Sequence, residues 1–166
     1  MAAHYSAISE EQAQLIRASR LFFVASADPG LAQGAHGVGA VNVSPRGGRL
    51  HIVSPQRVAF LDDPGSGNET ARHSAAGGPV TMMVCSFESE NAAIVRLYGK
   101  AKATPIAESP LAALLLEDRP PDSRPRQVIE VEIESTMTSC GYGVPVMEFV
   151  RDRGVRDRGK KYKPKS

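Results

Sequence analysis

The sequence predicts a mostly β fold, an antiparallel β-barrel with peripheral helices. Three observations carry that prediction. About seven segments read as strands and only three short ones as helices, without the regular alternation that a doubly wound sheet requires. Residues 127–135, "QVIEVEIES", alternate strictly: Ile129, Val131 and Ile133 on one face, Glu130, Glu132 and Glu134 on the other. Closing such a sheet into a small barrel removes most of its exposed edges.

The elements follow in order. Ser9-Glu10-Glu11-Gln12 fits a capping box, with Ile8 and Ala13 placed as a hydrophobic staple, and predicts a helix over about 10–18. "LFFVASA" (21–27) reads as a buried strand, and 28–37 as a polar, glycine-rich loop. "VGAVNVS" (38–44) and "RLHIVS" (49–54) flank "SPRGG". Pro45 suits the second position of a type I turn and the glycines its exit, which predicts a β-hairpin with Arg46 at the tip. "RVAFLD" (57–62) is the next strand. Ser66-Gly67-Asn68-Glu69 fits a second capping box, opening a helix over about 68–76 that stops at Gly77-Gly78-Pro79. "VTMMVCSFE" (80–88) and "AAIVRLYGKAKAT" (92–104) are strands. Ser109 as N-cap and Pro110 at the first helical position open a helix "LAALLLED", which ends before Pro120-Pro121.

A chain of 166 residues holds one domain with a real core. Trp is absent and aromatics are 5%, so that core rests on aliphatic side chains. No apolar run approaches the ~20 residues of a membrane span, and the N-terminus has no signal-peptide pattern. Two cysteines make no disulfide framework, which points to a reducing, cytoplasmic setting. The net charge of +2 is unevenly spread. Residues 151–166 hold 8 basic against 2 acidic residues, leaving 12 basic and 16 acidic for the rest. The expected organisation is therefore a domain over 1–150 and a basic, flexible tail over 151–166.

Several motifs are set aside. Gly37-Val38-Gly39 precedes a strand instead of linking a strand to a helix, so it is no dinucleotide loop. Gly65-Ser66-Gly67 lacks the spacing of a nucleophile elbow. The four histidines have neither metal-ligand nor triad spacing, and His73 reads as a surface residue. Cys85 reads as core, and Cys140 has no basic neighbour to activate it. A distributed set remains: Asn42, Ser44 and Arg46 on the expected hairpin, Ser66, Asn68 and Thr70 at the second helix start, and Arg96 within an apolar strand. Taken singly, these are a solvated turn arginine, a helix cap and an outer-face arginine. Together they point to a phosphate-bearing cofactor held by a helix end and two arginines, provided Glu69 points away.

At these residues the sequence resembles the pyridoxamine 5′-phosphate oxidase-related family of FMN-binding split barrels. The matching segments are "FFVASA", "VNVSPRG", "RVAFLDDPGSGNETARH", "VRLYGKA" and "CGYGVPVMEFV", in the family's order over roughly residues 10–150. The resemblance implies an antiparallel Greek-key split barrel and a homodimer with two cofactor sites at its interface. It implies FMN, with deazaflavin or haem as alternatives among relatives of this fold. It places Asn42, Ser44 and Arg46 along the flavin ring and ribityl chain, Asn68 and Thr70 near the phosphate, and Arg96 and Tyr142 as further contacts from the partner chain. "KKYKPKS" lacks the Arg-x-x-Pro ending of the founding enzymes, and Asn68-Glu69-Thr70 stands where they are more basic. Both departures argue against vitamin B6 oxidation, and the expected substrate is an unidentified small molecule.

Three functions are thus in view: an FMN-dependent oxidoreductase with a small-molecule substrate or electron donor, a non-catalytic flavin, deazaflavin or haem binder, and a nucleic-acid-associated barrel using the basic tail. The acidic, aromatic-poor body argues against the last.

Overall fold

The computed structural model describes residues 2–34, 39–65, 67–120 and 123–153. Its elements are β1 (Ala3–Tyr5), α1 (Glu10–Ala18), β2 (Leu21–Ala27), β3 (Val41–Gly47), β4 (His51–Ser54), β5 (Arg57–Asp62), α2 (Glu69–Ala75), β6 (Pro79–Cys85), β7 (Ala93–Pro105), α3 (Ala112–Leu116) and β8 (Gln127–Cys140). All eight strands join one sheet in the order β3-β2-β6-β7-β8-β5-β4, and β1 pairs with β8. Every pairing is antiparallel.

The sheet curls around a single main core. β2 and β5 are separated by three strands in the sheet order. Their side chains Phe22 and Phe60 nevertheless meet edge to face, with ring centroids 5.3 Å apart. Val24, Met82, Leu97, Val131 and Ile133 fill the space between, contributed by β2, β6, β7 and β8. α1 closes one end. Ser9 Oγ accepts from the Gln12 N–H, and the Ser9 N–H donates to Gln12 Oε1, as the capping box predicts. The staple pair Ile8 and Ala13 and the fully buried Ile16 enter the core. Burying an isoleucine of that size contributes about 1.5–3 kcal/mol. Gln12 is buried as well, donating to Thr138 Oγ1 and accepting from Thr136, which ties α1 to β8.

β7 and β8 are the long spine of the barrel. Their ladder shifts register between Tyr98 and Gly99. A Cβ at Gly99 would lie 1.9 Å from the Glu132 carbonyl oxygen, so only glycine lets the strands approach there.

Several expectations are corrected. Residues 38–44 and 49–54 do not form a hairpin. β3 runs through Pro45, Arg46 and Gly47 and pairs with β2, from Leu21 opposite Gly47 to Ala27 opposite Val41, whereas β4 pairs with β5. Pro45 is tolerated because β3 ends the sheet, where one edge needs no donor. Residues 48–50 then cross from one end strand of the sheet to the other, leaving β3 and β4 unpaired with each other. That is the split in the barrel. β1 is an eighth strand, too short to show a period, and β8 runs on to Cys140. The third helix is reduced to Ala112–Leu116, with Ser109 Oγ accepting from the Leu111 N–H in the preceding turn. Ser66 and its capping box lie outside the described residues, as do Gly37, Val38 and the tail from 154 onward. Among the described residues, no helix is long and apolar enough to cross a membrane.

Candidate cofactor site at the split

β3 alternates in exposure. Val41, Val43 and Pro45 face outward, while Asn42, Ser44 and Arg46 lie opposite Ser26, Val24 and Phe22 and share their inward face. Asn42 Nδ2 donates to Ser44 Oγ at 3.1 Å. Arg46 is therefore no turn residue. It reaches across the split to β5, where Nη1 lies 2.7 Å from Asp62 Oδ1 and the guanidinium stands 5.9 Å from the Phe60 ring centroid.

Asp62 is the hub of this site. Its side chain is only 3% exposed. Oδ2 accepts from Arg126 Nε at 2.8 Å and from Gln127 Nε2 at 2.7 Å. Gln127 Nε2 also donates to Asn68 Oδ1 at 2.9 Å, and Arg126 Nη2 donates to the Gly67 carbonyl at 2.7 Å. The contact between Arg46 and Asp62 Oδ1 is an ion pair out of hydrogen-bond alignment. Asp62 Oδ1 and Arg46 Nε consequently have no hydrogen-bond partner among the described residues, and neither has the buried Thr70 Oγ1. The site thus joins the start of α2, the end of β5 and the start of β8 to the inward face of β3. Two guanidiniums share the Asp62 carboxylate, while the Glu69 carboxylate folds back against Gly67 at the same helix start and so does not point away as the sequence reading required.

Of the expected site residues, this arrangement joins Arg46 and Asn68 through Asp62 and Gln127, with Asn42 and Ser44 on the same face as Arg46. Asn68 is the N-cap of α2 but makes no capping bond, because its side chain faces Gln127 instead. Arg96 and Tyr142 stand apart. Arg96 lies on the opposite face of the sheet, beside Met83 and Met137 in register, and donates to Ser139 Oγ at 3.0 Å. Tyr142 is 94% exposed beyond the end of β8. Among the described residues, no contact links either one to Asp62. Sequence reasoning missed Asp62, Arg126 and Gln127. Asp62 had a usable signal, since a charged residue closes the otherwise apolar strand "RVAFLD".

A second cluster holds the loop after β2 against α2. His73 is fully buried, correcting the expectation of a surface residue. Its Nδ1 lies 2.8 Å from Ser26 Oγ and its Nε2 faces the Gly39 carbonyl. Arg72 Nη2 also stands 3.0 Å from His73 Nε2, so the guanidinium and the imidazole meet at the same Gly39 carbonyl. Arg72 donates to the Ala32 and Gly39 carbonyls and stands 3.7 Å from Asp28. Hydrogen bonds from the Ala32 and Gly30 N–H groups, with help from Arg72, hold the Asp28 carboxyl below its ordinary pKa. Elsewhere, burial pushes the Cys85 thiol up, opposed by Arg96, and pushes His51 down, opposed by Asp118. The shallow groove of about 270 Å³ between α1 and β4, lined by Ile8, Arg17, Ile52 and Pro55, has no residue in common with either cluster.

No family model matches the chain. Over 152 residues, 89% of its length, the chain is 31% identical to the pyridoxamine 5′-phosphate oxidase family protein ustO of Aspergillus flavus, of which it spans 58%. In fold it is similar to a candidate pyridoxamine 5′-phosphate oxidase from Lactobacillus delbrueckii, with a TM-score of 0.58, 20% identity, and coverage of 80% of this chain and 94% of that one. It is also similar to a variant of HupZ from Group A Streptococcus, with a TM-score of 0.60, 17% identity, and coverage of 80% and 99%. A FAD-binding protein from Mesorhizobium loti follows with a TM-score of 0.52, 16% identity, and coverage of 84% and 99%. At these identities the solved structures bear on the fold alone. In sequence this chain is thus similar to a protein of the pyridoxamine 5′-phosphate oxidase family, and its fold is a split barrel.

Proposed function

We propose that this protein binds FMN and serves as a flavin-dependent oxidoreductase for a small molecule other than pyridoxal. The observation that carries the reading is the pair of arginines sharing Asp62 beside Asn42, Ser44 and Asn68, on a chain related to the oxidase family. The residues fit a phosphate-bearing flavin. Arg46 and Arg126 are about three-quarters buried, keep unused N–H groups and carry excess positive charge. Asn42 and Ser44 offer amide and hydroxyl groups along the same strand, suited to the polar edge of a flavin or its ribityl chain. Bound flavin would supply the redox chemistry, and the chain would supply position and electrostatics.

The reading includes a homodimer. Val41 and Val43 on the outer face of β3 are each about two-thirds exposed, and Tyr142, Val146, Met147, Phe149 and Val150 are exposed after β8. Apolar surface of that extent favours a partner. In this arrangement Arg96 and Tyr142 serve the partner's site, which accounts for their distance from Asp62. Two unpaired thiols suit a reducing, cytoplasmic setting.

The visible absorption spectrum of the purified protein, with identification of what heat denaturation releases, tests the cofactor. FMN is the expected product. A Soret band or a released deazaflavin would replace the cofactor, and a colourless protein that takes up none of them in titration would overturn the reading. Anaerobic stopped-flow with NADH or NADPH tests catalysis: reduction of the bound flavin at a turnover-relevant rate is expected, and an unreactive flavin would make the protein a carrier or sensor.

A further inference from the structure

We propose that Asp62 is the resident counter-ion of a phosphomonoester subsite formed by Arg46 and Arg126, and that it sets how strongly this subsite prefers a phosphorylated flavin. The proposal rests on the flavin reading above and adds Asp62 and Arg126, which the family resemblance does not supply, to Arg46, which it does. Among the ion pairs of the described residues, Asp62 alone is shared by two arginines. Its carboxylate is sealed off at 3% exposure, whereas Arg46 and Arg126 are 25% and 28% exposed. An anion arriving from solvent therefore meets these guanidiniums before Asp62, with the Glu69 carboxylate at Gly67 as the neighbouring negative charge.

The donor inventory agrees. Arg126 spends Nε on Asp62 and Nη2 on the Gly67 carbonyl, leaving Nη1. Arg46 spends Nη1 on Asp62 and keeps Nη2 and an unpartnered Nε. Each arginine is held by one side of its fork with the other side unspent, and a phosphomonoester has the oxygens to take both. Gln127 fixes Asp62 Oδ2 and ties it to Asn68, so the carboxylate cannot swing toward the ligand.

The role has two opposed consequences. Without ligand, Asp62 neutralises one guanidinium and keeps both in place. With ligand, its charge weakens the attraction for phosphate. Removing the charge while keeping the shape therefore loosens the empty protein and strengthens phosphate binding.

The test is equilibrium binding of FMN and of riboflavin to apo-protein at fixed ionic strength, for wild type, Asp62→Asn and Arg126→Gln, with inorganic phosphate as competitor. Wild type is expected to bind FMN about tenfold or more tightly than riboflavin, with phosphate competing against FMN alone. Arg126→Gln should lower FMN affinity about tenfold and leave riboflavin unchanged. Asp62→Asn should lower the apo melting temperature and widen the FMN-over-riboflavin preference about tenfold. A preference that is unchanged or narrowed in Asp62→Asn overturns the counter-ion role. Arg126→Gln leaves Asp62 paired with Arg46, so it tests the subsite even where Asp62→Asn does not fold, and an unchanged preference there overturns the proposal. Equal wild-type affinities for FMN and riboflavin would sink the subsite and spare the flavin reading, whereas binding of neither would sink both.

Discussion

Two ion-pair clusters border α2, and their charge balances differ. On the side of the loop after β2, one arginine meets one aspartate, and Arg72 donates to the Ala32 and Gly39 carbonyls beside the buried His73. At the split, two arginines meet one aspartate, and both keep donors unspent. The first is a clamp that shapes backbone, its one arginine charge balanced by Asp28. The second has charge and hydrogen-bonding capacity left over, which a structural cluster has no reason to retain. Arginine in a buried network is thus read by what remains unspent after its partners are counted.

The largest effect expected from breaking this comparison is at Asp62. Asp62→Ala leaves two partly buried guanidiniums without a counter-ion and should cost about 3 kcal/mol in urea denaturation. Asp28→Ala, which removes a loop-shaping carboxylate from the clamp, should move the midpoint less. Equal losses would erase the distinction between the clusters.

His73 comes next. Its replacement by Leu strands Ser26 Oγ in a buried site, while Arg72 still donates to the Gly39 carbonyl, and should cost about 2 kcal/mol. Because the clamp takes no part in phosphate binding, the FMN-over-riboflavin preference should stay at the wild-type value. A change in that preference would mean that the clamp and the split form one site.

Arg72→Met sharpens the comparison further. It removes solvent-facing bonds to backbone carbonyls and should cost about 1 kcal/mol, again with an unchanged flavin preference. Opposite outcomes for Arg72 and Arg126, two arginines of similar burial, would attribute the preference to position and spare charge.

The smallest effects are in pH. The folded-state pKa of Asp28 is depressed, so its contribution is present above about pH 4 and is lost as pH falls through the folded value. His51 is depressed too, but for a base the sign reverses: the unfolded chain binds the proton more readily, so stability falls as pH drops below about 6.5. Denaturation midpoints from pH 8 to about pH 2 should show the His51 step first, and His51→Gln should remove it without touching the step below about pH 4.

How much of this was legible in the sequence follows the range of the interactions. The Ser9 capping box is a local motif and formed as read. The alternation in "QVIEVEIES" gave the buried face of β8 correctly, because period two needs no partner to be seen. Strand pairing was not legible. "SPRGG" has turn chemistry, yet β2 offers β3 a full-length antiparallel partner while β4 is already paired with β5. That error misplaced Arg46 at a solvated tip. The site was half legible for the same reason. Asn42, Ser44 and Arg46 share a face by spacing alone, but Asp62 and Arg126 are 64 residues apart and only the fold brings them together. His73 was misread because its two partners, Ser26 and Gly39, lie far back along the chain.

The most direct test of the central claim, that Arg46 at the split holds the flavin nucleotide, is a fluorescence titration of apo-protein with FMN for wild type and Arg46→Ala. Circular dichroism at the titration temperature verifies the fold. Arg126 and Gln127 still hold Asp62 in the variant, so it should remain folded. Losing a charge-assisted hydrogen bond in a partly closed site costs about 1.5–3 kcal/mol, which predicts roughly tenfold to hundredfold weaker FMN binding. Equal FMN affinities in a folded Arg46→Ala protein would contradict the account.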